Sequence, residues 1–212
     1  MRTTTPLRRA LTTVTATAAV VLTATGTAVA VPASGTTAAP VTTPHTLSTP
    51  YSVSALHPVV ELAAERLATA DLVAAAKWGT DSPIDDPARE QQVLDNVAAQ
   101  ATQLGADPDE IRMIFRDQIE ANKTVQRGLF QRWTDHPDQA PTTKPDLSVV
   151  REQINRITGA LVQALADTSE NRGTLACRPE LALAAFQVRH EDHLDALHTR
   201  ALYRALPSIC RN

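Results

Sequence analysis

Residues 107–133 read DPDEIRMIFRDQIEANKTVQRGLFQRW, and their spacing decides the fold class. Asp107-Pro108-Asp109-Glu110 is a capping box with Pro in the first helical turn, which starts a helix. Apolar residues then recur at intervals of three and four: Ile111, Phe115, Ile119, Leu129 and Trp133. In the middle of that stripe stand two amides, Asn122 and Gln126, one helical turn apart. Amides in such a place either bond each other and a neighbouring helix or face a ligand.

The same punctuation repeats along the chain. A first helix starts between Ala55 and Pro58 and runs to Trp78, where Gly79 stops it. A second follows Asp85-Asp86-Pro87, with an Asp cap and Pro in its first turn, and ends at Gly105. The third is expected to reach about Trp133. After a Pro-rich link from His136 to Pro145, Asp146 or Ser148 caps a fourth helix through about Asp167, and Gly173 lies in the next loop. No segment sustains alternation of β-branched residues, so the fold is all-α: one helical bundle of about six helices.

The bundle occupies only part of the chain. Arg2, Arg8 and Arg9 precede an apolar run from Ala10 to Val21, and Ala28-Val29-Ala30 reads as a small-residue cleavage site. Residues 1–30 are therefore expected to be a signal peptide; a membrane anchor is the competing reading, but the run is short and Thr-rich. The Arg8-Arg9 pair fits a twin-arginine route poorly. Residues 31–54 are rich in Thr, Pro, Ala and Ser and carry no formal charge, a flexible linker that cannot bury a core. The folded domain is 55–212. Loss of the three leading arginines takes the formal net charge from -3 to about -6, which disfavours nucleic-acid binding. The mature chain is expected outside the cytoplasm, secreted or in the cell-envelope space, with no membrane attachment after cleavage.

Two cysteines, Cys177 and Cys210, lie late in this exported chain. An even count in an oxidising compartment favours a disulfide, and no His sits at ligand spacing to make them a metal site. Their pairing constrains the last segment. A continuous helix from Pro179 to Leu206 would hold its ends about 40 Å apart, whereas a disulfide needs Cα atoms within about 7 Å. The chain must turn back, and Arg189-His190-Glu191-Asp192-His193 is the natural corner. A C-terminal helical hairpin stapled by one disulfide is the expectation. The same polar run offers His190, Asp192, His193 and His198 as a metal set, but solvated corner residues account for it equally well.

Polar residues at apolar helix positions carry the functional signal. Arg66 and Lys77, eleven apart, fall roughly 20° apart in azimuth on the first helix, on a face shared with Leu62, Ala70 and Val73. Arg151 lies between Leu147 and Ile154 on the fourth helix, and Arg89 and Glu90 sit in the first turn of the second, where free N–H groups suit a hydroxyl or carboxylate. Each has a plain alternative: cations snorkel from the edge of an apolar stripe, and a first-turn Glu is usually solvated. Together they give four cations, an acid and two amides, suited to a compact dianion. There is no Ser-His-Asp arrangement, glycine-rich phosphate loop or activated Cys, so the set points to charge stabilisation rather than covalent chemistry. A non-catalytic exported binder of small dicarboxylates and a purely structural interaction domain are the rival classes.

Ala63-Ala64-Glu65-Arg66-Leu67, Ala74-Ala75-Ala76-Lys77-Trp78, Pro83-Ile84-Asp85-Asp86-Pro87-Ala88-Arg89-Glu90 and Phe115-Arg116-Asp117-Gln118-Ile119 resemble the all-helical chorismate mutases. The similarity is greatest to their exported gamma subclass, known from mycobacteria, and extends over the chain after the linker. It implies an isomerase that converts chorismate to prephenate without cofactor or metal, as a possible homodimer. It implies that Arg66 and Arg151 grip carboxylates, that Lys77 reaches a carboxylate and the ether oxygen, and that Gln126 bonds the other side of that oxygen. Arg89 would line the site, and Asp86 (through its backbone) and Glu90 would meet the ring hydroxyl. Asn122 stands where the family usually has Ser or Thr, a departure within the implied substrate-binding set.

Overall fold

A computed structural model describes residues 54–211 of the chain. The expected signal peptide and nearly all of the linker lie outside the described residues. Among the described residues there are seven α-helices, one 3-10 turn and no strand.

Helix α1 (His57–Lys77) is the centre of the bundle and packs against α3, α4, α6 and α7. Its alanines make this possible: Ala63, Ala64, Ala70 and Ala74 are buried and let neighbouring backbones approach from several sides. The helix stops where expected, with Trp78 as its C-cap and Gly79 at φ +65°, a left-handed conformation that Gly alone adopts freely. Trp78 then packs edge-on to Phe130 and Trp133 of α3, which fixes the end of α1 that carries Lys77.

Helix α2 (Pro87–Gln103) is capped by Asp86, whose carboxylate accepts the Arg89 N–H at 3.0 Å. Helix α3 (Pro108–Asp135) is capped by Asp107, bonded to the N–H groups of Asp109 and Glu110. The reciprocal half of the expected capping box is missing. Glu110 is buried and pairs instead with Arg172 and Arg211, because two guanidinium groups with several donors outcompete one backbone N–H for a carboxylate. The buried face of α3 is also wider than its apolar stripe: Gln118, Ala121 and Val125 are buried as well, since α3 packs against α1, α2 and α7.

Helix α4 (Leu147–Asp167) takes Asp146, not Ser148, as its cap. A short helix α5 (Ser169–Arg172), absent from the sequence reading, follows before Gly173. Helices α6 (Cys177–Glu191) and α7 (Ala196–Ala205) form the expected hairpin. The turn, Asp192 to Asp195, overlaps the end of the predicted corner, with His193 at φ +50° and Asp195 capping α7. Cys177 and Cys210 are joined, with Cα atoms 5.8 Å apart. No helix of the described residues is long and apolar enough to cross a membrane.

Candidate active site

A cavity of about 230 Å³ opens between α1, α2, α3, α4 and the loop joining α1 to α2. Its lining includes all eight site residues expected from sequence: Arg66, Lys77, Asp86, Arg89, Glu90, Asn122, Gln126 and Arg151. Leu147, Ile154, Val73, Val93 and Ile119 supply apolar walls.

Arg66 is the most buried of the cations lining the cavity, 5 % exposed at the middle of α1. Its Nε donates to Thr158 Oγ1 at 3.4 Å and its Nη1 to the Gln118 carbonyl at 3.3 Å, while the guanidinium stands 5.6 Å over the Phe115 ring. Among the described residues no carboxylate pairs with it. Burial pushes its pKa down to about 10, so it stays charged at neutral pH while missing its water. A buried, orientated cation without a counter-ion is the electrostatic half of an anion site.

Lys77 ends α1 and is half-buried, with Nζ donating to the Pro83 carbonyl at 2.8 Å. Burial lowers its pKa and nearby Arg151 lowers it further, against Asp86, Asp85 and Glu90, which raise it. Gln126 is 4 % exposed, and its Nε2 donates to Asn122 Oδ1 at 2.7 Å. The amide pair anticipated as an alternative to ligand binding therefore exists, within α3 rather than across to another helix. It does not satisfy itself: Gln126 Oε1 is buried without a partner, and Nε2 keeps a second hydrogen.

The remaining residues form the rim. Arg89 is half-buried and donates to Gln92 at 3.1 Å. The apolar stripe of α4 places Arg151 on the inward face, but it is exposed; it lies just past the first turn of α4, at the mouth, where the cavity is open to solvent. The Asp86 carboxylate is engaged in capping, and Glu90 is held by Lys123 at 3.1 and 3.2 Å.

Lys123 lines the cavity but is not among the site residues expected from sequence, nor are Ser82, Pro83 and Ile84 of the loop. A signal for it existed: it lies one turn after Ile119, at the edge of the same stripe. The His-rich corner makes no cluster. His198 bonds Asp71 and Asp195, His190 packs edge-on to Phe186, and no His, Cys, Asp and Glu group among the described residues is placed to hold a metal ion.

The family model for chorismate mutase type II matches residues 58–127, which span α1, α2 and most of α3. The chain is 39 % identical over 173 residues to a secreted chorismate mutase of Mycolicibacterium smegmatis, covering 82 % of this chain and 94 % of that one. It is 34 % identical over 158 residues to a secreted chorismate mutase of Mycobacterium tuberculosis, covering 74 % and 79 %. A solved chorismate mutase from Burkholderia phymatum superposes with a TM-score of 0.71 at 37 % identity, over 74 % of this chain and 97 % of that one. With the bundle, the one-chain cavity and these relatives in agreement, the chain belongs to the chorismate mutase family.

Proposed function

We infer that the protein is a chorismate mutase that rearranges chorismate to prephenate, and that the cavity described above is where it does so. The observation that carries the reading is Arg66, a buried cation without an acidic partner, in one cavity with Lys77 and Gln126. The reaction is pericyclic: the ether C–O bond breaks as a new C–C bond forms within one molecule, and no proton or covalent intermediate is involved. The task left to the protein is to hold a reactive shape and to stabilise the charge that develops.

Arg66, fixed by Thr158 and the Gln118 carbonyl, grips one carboxylate, and Arg151 at the mouth closes on the other. Their contribution is proximity, since the flexible enolpyruvyl arm must be held over the ring. Lys77 and the free hydrogen of Gln126 Nε2 meet the ether oxygen as it gains negative charge. Such preorganised donors act more strongly on the transition state than on the substrate. Arg89 adds positive potential, and Glu90 with the Asp86 backbone receives the ring hydroxyl. Every one of these residues lies on one chain, which supports a site built without residues of a partner subunit.

Residues 1–30 are proposed to direct export, residues 31–54 to act as a tether, and 55–212 to be the catalytic domain, in the cell-envelope space or beyond. The secreted relatives support this reading. A homodimer is the assembly that the family resemblance favours; light scattering on the purified protein measures it. Mixing purified protein with chorismate separates an enzyme from a binder of dicarboxylates. The enzyme consumes chorismate and accumulates prephenate, whereas a binder shows saturable heat of binding and no product.

A further inference from the structure

Lys123 has no part in the chemistry above, yet it lines the cavity and is only 8 % exposed. Its ammonium is ringed by acids from three places. Glu90, in the first turn of α2, offers both oxygens at 3.1 and 3.2 Å; Asp85, in the loop between α1 and α2, lies at 3.2 Å; Glu120 approaches from one turn earlier on α3. An ammonium has three N–H donors, so three carboxylates use them all and leave none for a ligand. Asp85 is held a second time, by Arg127 Nη2 at 2.6 and 2.9 Å. Neither Asp85 nor Arg127 lines the cavity.

The loop that Asp85 anchors matters to the site. Its Pro83 carbonyl accepts the Lys77 ammonium, and Pro83, Ile84 and Asp86 are part of the cavity wall. Residues 79–83 are exposed and follow the left-handed Gly79, so the loop has little packing of its own. The side-chain bonds tying it to α3 are those of Asp85.

We propose that Lys123 is a positioning residue for the rearrangement, the hub that pins the Asp85 loop and Glu90 to α3 so that Lys77 and the first turn of α2 face the substrate at fixed places. The proposal rests on the chorismate mutase reading. A largely buried cation shared by several acids loses less to solvent than a lone surface pair, and a loop already in place pays no ordering cost when the substrate arrives.

Steady-state kinetics on wild type, Lys123→Met, Asp85→Asn and the double variant test it, with chorismate turnover by wild type checking the underlying reading separately. The expected result is that Asp85→Asn, outside the cavity, raises KM about fivefold. Lys123→Met raises it at least as much, and the double variant falls clearly short of the product of the two single effects, because the Lys123–Asp85 link is cut in both. Amide exchange across residues 79–86 quickens in both single variants. A Lys123 that grips substrate directly gives the opposite pattern: Asp85→Asn leaves KM and loop exchange at wild-type values, which overturns the proposal. Should Lys123→Met not fold, Asp85→Asn and Arg127→Met, both at exposed positions, decide alone, and an unchanged KM in both overturns it equally.

Discussion

In the proposed mechanism one side chain, Gln126, sets the pH range of the whole reaction. An amide donates a hydrogen bond at any pH, whereas a carboxyl donates only when protonated. The wild-type rate is therefore expected to be nearly flat from mildly acidic to mildly alkaline pH. Gln126→Glu should retain activity only toward acid and lose it as the carboxyl ionises beside the breaking ether bond. A pH profile of kcat/KM for the two proteins measures this, and a steep wild-type loss above about pH 6 would contradict the donor role. Asn122 belongs to the same scale. Its Oδ1 takes one hydrogen of Gln126 Nε2, so Asn in place of the family's usual hydroxyl still supplies an acceptor there. These polar residues were legible because each breaks a helical stripe. Lys123 was not, since a Lys at a stripe edge reads as surface and two of its three acids, Asp85 and Glu90, come from places that only the fold brings together.

Among the elements, α7 carries a clasp that the sequence suggested only as a polar corner. His198 bonds Asp71 of α1 and Asp195 at its own N-cap, and Arg132 of α3 lies 3.6 Å from Asp195. The Asp71 hydrogen bond is the largest influence on His198, and with Asp195 it raises the pKa to about 9 against the effect of burial. A folded pKa above the unfolded value near 6.5 means that the clasp stabilises fully below about pH 6.5 and is lost as pH rises through about 9. Thermal melts should thus drop by about 2–4 °C per kcal/mol lost over that window, and Asp71→Asn should flatten most of the drop. Helix starts were legible in sequence at Asp86, Asp107 and Asp146, because Asp caps act locally. The partner of Glu110 was not, because Arg172 and Arg211 lie 62 and 101 residues away.

At the scale of the molecule, the C-terminal end is held by a covalent and an ionic lock together. The disulfide closes a span of 33 residues around the α6–α7 hairpin, and Glu110 ties α3 to Arg172, which is fully buried, and to Arg211. Removing the acid strands a buried guanidinium, so Glu110→Gln is expected to cost about 3–5 kcal/mol in a denaturant titration. Reducing the disulfide should cost about 4 kcal/mol by loop entropy, without touching the cavity. The hairpin itself was legible from sequence only through the two cysteines, since helical periodicity alone ran straight through its corner.

In the proposed mechanism all of these supports serve one arrangement, a fixed cation and an amide facing an ether oxygen. Chorismate consumption by purified wild type and Lys77→Ala, followed by loss of chorismate absorbance at matched substrate, tests it most directly. The expected result is turnover by wild type and a fall in kcat/KM of about 100-fold or more in a variant that still folds. A Lys77→Ala protein that kept most of its kcat/KM would contradict it.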